Sequence, residues 1–504
     1  MATRWVLKVT VCSVFGLSLM ACNDSSSRRD LEENPRAFVQ QKTSDLPSLA
    51  NPARTPGSPG ASVPTSVEKQ FGGSDVNLNN ARYTRYALST KWNSQPDAVF
   101  VAIPGFEGGA ANYLPLAENF INLAAKSDLV LELWAVDRRS NQLEDTQGLD
   151  VAEEEADALI ALDYLFGDDL GLNLSSKLER RIFLHNATSD TAFMANWTSL
   201  VHSQDIDAIV EHARSKARNE NVFLGGHSAG TGYTARYAAT NFNLSGSGVA
   251  QPGYAKLKGL ILLEGGGSRL NSSSASEETL DLIEAEFDGG MYGAIKDQAA
   301  RCIDGVTACT VATEQTDCAA QRITKCVEPR FAYAIQPGLL GPEIFAAGEV
   351  MALQADTDPD STSLLQQSFG GDPNNTAIQK VPGLSALQLL LGSEPQTPLA
   401  SLGSFLDDDG VAVAIATFLA TSVGSPGPVV DGLKTWLNND EEQPAEAFTN
   451  NGPAPTKAGS RSPWGVEVES TNLKNLLPAF YRGGTNYPDW YYPSSGLTIG
   501  SELG

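Results

Sequence analysis

A succession of short apolar runs bounded by turn residues constrains this 504-residue chain more than any other feature. Ala98-Val-Phe-Val-Ala-Ile103, Leu129-Val-Leu-Glu-Leu-Trp-Ala-Val136, Val222-Phe-Leu224 and Leu257-Lys-Gly-Leu-Ile-Leu-Leu263 scarcely alternate between apolar and polar. Such runs suit strands buried on both faces of a parallel sheet. Between them lie helical patterns. Leu114 to Ala125 reads as one helix, and Val151 to Phe166 as another, with Ala156, Leu159, Leu162 and Phe166 on one face. Glu153 to Glu155 fall in the first turn of the latter, where acids suit the helix dipole. From Asp205 to Arg218, Ile206, Ile209, Val210, Ala213 and Ala217 form an apolar stripe, and a further helix follows Leu224 to about Thr240. Regular structure starts with an alternating strand at Ala81–Leu88. Strands alternating with helices predict a doubly wound α/β core with a mostly parallel sheet.

After Glu264 this rhythm dissolves, and no further buried strand is read. Residues 271–504 carry helical stretches, a four-cysteine window and Pro/Gly loops, and are expected to form a large, mainly helical cap or C-terminal region. The core spans 76–270. Residues 22–75, rich in Ser, Pro, Asn and Gly, suit a flexible linker. Residues 1–21 read as a signal peptide: Arg4 and Lys8 precede an apolar stretch too short to span a bilayer. That stretch ends in Leu19-Met-Ala-Cys22, which resembles the lipobox of bacterial lipoproteins, where the cysteine is acylated and becomes the N-terminus. Export and a lipid anchor follow from that resemblance, and Asn23 directly after Cys22 points to the outer membrane. In an oxidising compartment Cys302, Cys309, Cys318 and Cys326 are expected to form two local disulfides, with pairing left open. Zinc is the rival, but the window has no Cys-x-x-Cys pair and no histidine. Sixty acidic against 35 basic side chains, a formal charge of −25, repel phosphate backbones and argue against nucleic acid.

The chemistry gathers at Gly225-Gly226-His227-Ser228-Ala229-Gly230. Gly-x-Ser-x-Gly between an apolar strand and a helix lets the backbone turn sharply and leaves the serine exposed at the helix N-terminus. There the dipole and free amides favour an oxyanion. Read as structure alone, the same residues make a strand-to-helix turn. An earlier strand closes in Ile103-Pro-Gly-Phe-Glu-Gly-Gly109. As a phosphate loop this would lack the Gly-Lys-Ser/Thr ending, and Glu107 would repel phosphate.

Strand–Pro-Gly-Phe, strand–Asp137-Arg-Arg-Ser140 and strand–Gly-His-Ser-Ala-Gly, in this order and spacing, resemble the α/β-hydrolase superfamily, and its secreted esterases and lipases in particular. The resemblance covers residues 80–265. It implies ester hydrolysis through an acyl-enzyme on Ser228, an elbow of Gly226, His227 and Gly230, and oxyanion donors at the Phe106 and Ala229 amides. The substrate would be a small-molecule or lipid ester, and no cofactor or metal is called for. The resemblance also implies an acid and a histidine C-terminal to the serine. Glu264 stands where such folds can carry the acid, or is a plain strand-end carboxylate. The histidine is missing: His185, His202, His212 and His227 all precede Ser228. His227 should point away from the reacting centre, His212 should be solvated, and His185 or His202 would have to serve as a displaced base. A chain that continues beyond Gly504, a binding lipoprotein that kept the elbow without the activity, and an unusual base are the three explanations. Substrate identity and oligomeric state are not legible.

Overall fold

The structure is a computed structural model. It describes residues 39–170 except 53, residues 191–265 with gaps at 192, 195–196, 198 and 244–247, residues 342–369, four positions between 397 and 402, and residues 473–491 except 485–486. Cys22, His185 and the four-cysteine window lie outside the described residues, as does most of 266–504.

In chain order the elements are β1 (Val39–Pro47), α1 (Thr65–Phe71), β2 (Asn80–Leu88), β3 (Ala98–Ile103), α2 (Leu114–Ala125) and β4 (Leu131–Asp137). Then come α3 (Gln147–Glu155), α4 (Ala158–Leu170), α5 (Ser199–Lys216), β5 (Val222–His227), α6 (Ala229–Ala239) and β6 (Gly259–Leu263). Three further helices follow: α7 (Pro342–Thr357), α8 (Leu364–Phe369) and α9 (Leu473–Tyr481).

The strands form one six-stranded sheet in the order β1-β2-β4-β3-β5-β6. β2 runs antiparallel to both β1 and β4, and the other pairs are parallel. This is an α/β fold with a mixed sheet in which β3, β4, β5 and β6 run parallel. Parallel pairing places Ile103 beside Gly226 and His227 beside Leu263, so the C-terminal ends of β3, β5 and β6 open on one edge. In open α/β sheets that edge is where ligands bind.

Both faces are covered. Ile206, Ile209, Val210 and Ala213 of α5 and Tyr233 and Tyr237 of α6 pack with Val99, Val101, Trp134 and Leu224 on one side. Ala117 and Ile121 of α2 pack with Phe100, Leu133 and Tyr86 on the other. A separate helical layer joins α3, α4, α7, α8 and α9, with Phe166, Met351, Leu477 and Trp490 wholly or almost wholly buried in it. At about 25 cal/mol per Å² of apolar surface, each of these larger side chains contributes on the order of 2 kcal/mol.

Three expectations need correction. Val39–Pro47, expected inside a flexible linker, is the outer strand of the sheet, paired with β2 along its full length from Val39↔Leu88 to Pro47↔Asn80. An edge strand is held by backbone bonds and by polar pairs such as Thr43 Oγ1–Thr84 Oγ1 at 2.9 Å and Arg82–Asp45 at 2.8 Å. It therefore needs no apolar run to announce it. The single helix expected from Val151 to Phe166 is two. Ala156 takes a left-handed conformation (φ 52°, ψ 41°) that ends α3, and Asp157 Oδ1 accepts the Leu159 amide at 3.0 Å to start α4. His212, expected in solvent, is half-buried with its ring 5.4 Å from that of Trp134.

Candidate active site

Ser228 occupies the corner between β5 and α6 with φ 54° and ψ −122°. A non-glycine residue in this region carries backbone strain of order 1–3 kcal/mol, which surrounding contacts must hold in place. Most of them are main-chain. The Ser228 amide donates to the Glu264 carbonyl at 2.8 Å and the Leu263 carbonyl at 3.3 Å, and the Ser228 carbonyl accepts the Thr231 amide at 3.0 Å. Thr231 Oγ1 adds a donor to that carbonyl at 2.7 Å. The residue is half-buried, and its side chain does not cap the helix that starts beside it. Ala229 is the first residue of α6, so its amide has no acceptor within the helix.

The loop after β3 meets this corner from the neighbouring strand. A Cβ on Gly105 would lie 3.0 Å from Ser228 Cβ and 3.6 Å from Ser228 Oγ, so any side chain here would press on Ser228. Phe106 follows, half-buried between the helical layer and the sheet. Glu107 is buried at φ 53°. Tyr113 Oη donates to the Ile103 carbonyl at 2.6 Å and ties the far end of the loop back to β3.

The chain is similar in part to solved hydrolase structures. A thioesterase domain from the curacin biosynthetic pathway is 18% identical over 41% of this chain and 49% of its own, with a TM-score of 0.19. Esterase Est22 is 11% identical over 49% of this chain and 50% of its own, with a TM-score of 0.22. The siderophore hydrolase EstB from Aspergillus fumigatus is 14% identical over 64% of this chain and 68% of its own, with a TM-score of 0.17. The chain thus spans about half the length of the first two. No family model and no curated protein matches. Scores this low add nothing to the strand order and corner geometry above.

Glu264, the expected acid, has an exposed side chain at the end of β6 and touches the corner through its carbonyl. His227 is exposed on the variable position of the elbow, its pKa lowered by desolvation against the raising field of Glu264. His202 stands edge-on to Tyr233, ring centroids 4.8 Å apart, and lines a cleft with Arg138, Ser140, Met194 and Trp197. Ser228 is not in that lining. Burial, then the charges of Arg138, Arg236 and Arg139, hold His202 well below the ordinary histidine range, and its buried Nε2 has no hydrogen-bond partner among the described residues. Among the described residues, then, no histidine is brought to the Ser228 hydroxyl.

Beside the loop lies a group of buried carboxyls that the sequence did not announce: Glu107, Asp137, Glu144 and Asp489. No set of three or more His, Cys, Asp or Glu among the described residues is arranged to hold a metal. Burial, then the charge of Asp489, pushes Glu107 well above the carboxylate range. Glu144 is raised by burial and by Asp489 and Glu349, against the Trp490 amide that it accepts. Asp137 accepts the Ala110 amide at 2.6 Å, while its Oδ2 has no partner among the described residues. Burial outweighs that bond and pushes its pKa up to about 7. A carboxyl whose folded pKa is raised binds its proton more tightly when folded. Its contribution is therefore complete below the unfolded value near 4 and is lost as pH climbs through the folded value. Stability is expected to fall between about pH 4 and pH 7 at up to about 1.4 kcal/mol per pH unit from Asp137. Urea unfolding of the protein and of Asp137→Asn across that range checks this. The variant should show the shallower slope, and equal slopes would refute the assignment.

Proposed function

We propose that the protein is a serine hydrolase of carboxylic esters that works through an acyl-enzyme on Ser228. The observation that carries it is the Ser228 backbone at φ 54°, ψ −122°, in a half-buried residue whose hydroxyl takes no part in capping, with Gly105 packed against it. A plain strand-to-helix turn gains nothing from holding a serine in a strained conformation, whereas a nucleophile needs its oxygen clear of the sheet. In this reading Ser228 Oγ attacks the ester carbonyl, and the tetrahedral oxyanion is met by the Phe106 and Ala229 amides. The ester C–O bond breaks, the alcohol leaves with the proton released by Ser228, and water hydrolyses the acyl-serine, returning a proton to Ser228 Oγ. The leading dipole of α6 favours that negative charge.

A fluorophosphonate probe tests this directly. Covalent labelling that disappears in Ser228→Ala supports the nucleophile. A well-folded protein that takes no label, or a Ser228→Ala variant labelled as fast as the parent, rejects it. Absence of label would favour a binding role for the same fold.

We also propose that the protein is an exported lipoprotein anchored through Cys22, on the strength of the Leu19-Met-Ala-Cys22 pattern. A single acyl-bearing terminus anchors without spanning. Metabolic labelling with a fatty-acid analogue should mark the parent and spare Cys22→Ser.

A further inference from the structure

The segment Tyr487–Tyr491 lies nearly 350 residues beyond the turn that it grips, the Ser140–Asp489 pair being 349 apart. It crosses the loop after β3 as a short antiparallel bridge, Gly108 opposite Pro488. The Gly109 amide donates to the Tyr487 carbonyl at 2.8 Å, and the Asp489 amide donates to the Glu107 carbonyl at 2.7 Å. Among the described residues, the other main-chain bond to this stretch from outside the loop is local, the Asn112 amide donating to the Gly109 carbonyl at 3.2 Å. Asn112 Nδ2 adds a bond to the Tyr487 carbonyl at 2.5 Å. Pro488, which has no amide hydrogen, sits where the bridge asks for none.

The segment is itself bolted down. Asp489 Oδ2 accepts the Ser140 hydroxyl at 2.5 Å and lies 3.9 Å from Arg138 Nε, while Oδ1 accepts the Tyr491 amide at 3.1 Å. The Trp490 amide donates to Glu144 Oε1 at 2.9 Å and its indole N–H to Glu349 Oε1 on α7 at 3.1 Å. Tyr487 stacks on Phe480 of α9, ring centroids 3.9 Å apart. Trp490 and Tyr491 are fully buried. Such a tie holds a loop whose residue at Glu107 has a left-handed backbone and would relax if released.

We propose that Tyr487–Tyr491 is a strap that fixes the Gly105–Gly109 loop against Ser228, which makes Asp489 and Trp490 positioning residues for acyl transfer. This rests on the reading of Ser228 as nucleophile. An oxyanion donor displaced by about 1 Å loses on the order of 100-fold in rate, because the donor must meet the charge where it develops. In this proposal the strap acts on rate, since its main-chain bonds go to the loop that carries the Phe106 amide.

The test is saturation kinetics of fluorophosphonate labelling on the full chain, with hydrogen exchange read at the Gly108 and Gly109 amides. Asp489→Ala should slow the maximal labelling rate roughly 100-fold, leave the half-saturating concentration within about twofold and deprotect both amides. Asp489→Asn, which keeps an oxygen to accept the Tyr491 amide and turns its NH2 to the Ser140 hydroxyl oxygen, which can accept, should recover most of the rate. If Asp489→Ala does not fold, Trp490→Phe, which removes the indole donor and part of the buried ring but keeps an aromatic side chain, takes its place with the same expectations. Loop amides that deprotect while labelling keeps its parental rate overturn the strap, as does slow labelling with the amides still protected. A parent protein that takes no label overturns the Ser228 reading instead, and the strap's catalytic role falls with it.

Discussion

Gly230→Ala is expected to cost about 3 kcal/mol or more and to abolish labelling at Ser228, although it adds a single methyl group. A Cβ at this position would stand 2.2 Å from the Ile103 carbonyl oxygen and 2.9 Å from that of Pro104. Both are main-chain atoms at the end of β3, so no rotamer change relieves the clash. Either α6 lifts off the sheet or the loop after β3 moves, and each takes an oxyanion donor with it. Gly226 is caught in the same way, its Cβ falling 2.2 Å from the Gly230 carbonyl oxygen. The control is Gly73→Ala. No atom lies within 4 Å of its Cβ, and its φ is not positive, so the change should stay within about 0.5 kcal/mol. Equilibrium unfolding of both variants decides the matter. A Gly230→Ala protein as stable as Gly73→Ala would mean that the corner is not packed as described.

These glycines mark the part of the molecule that was most legible. Gly-x-Ser-x-Gly after an apolar strand demands a tight turn by itself, and the structure supplies the reason at each glycine: one backbone pressed on another. The central strands were equally plain, because a strand buried on both faces has no choice but to be apolar, as Val99, Val101 and Ala102 are. Helix α2 begins and ends where its pattern does.

What stayed hidden was polar. β1 reads Val-Gln-Gln-Lys-Thr-Ser-Asp-Leu-Pro and is half-buried, so its membership of the sheet rests on main-chain pairing that composition does not encode. The break at Ala156 carries no glycine or proline to signal it. The strap lies in a tail whose aromatic residues look like any surface cluster until Trp490 is seen against Glu144 and Glu349. Buried carboxyls form a last case. Asp137, at the end of β4, was visible as a strand-end acid, but its pKa is raised first by burial and then by charges such as that of Asp489, both of which only the fold supplies.

Arg139→Ala tests how far such buried polar contacts hold the active edge together. The guanidinium is almost fully buried and grips three segments at once. Its Nε donates to Asp205 Oδ2 at 2.7 Å and its Nη2 to Asp205 Oδ1 at 2.8 Å, a bidentate pair with α5. Nη2 also reaches Ser48 Oγ at 2.7 Å and the Ala50 carbonyl at 2.8 Å, beyond the end of β1, and Nη1 reaches Asn79 Oδ1 at 3.0 Å, before β2. Removing one partner of a buried pair leaves a stranded charge, and a loss of about 3–5 kcal/mol is expected. Burial already raises the Asp205 carboxyl, held back by Arg139 and Ser48, and without the arginine it should rise further. A raised carboxyl is protonated in the folded state at low pH, so the variant should lose less stability at pH 5 than at pH 8. Pairing Arg139→Met with Asp205→Leu removes both charges and should be milder than Arg139→Ala alone. Urea unfolding at the two pH values measures all three. A loss below about 1 kcal/mol that does not change with pH would show that Arg139 is solvated and that the segment after β1 is held to the sheet edge by other contacts.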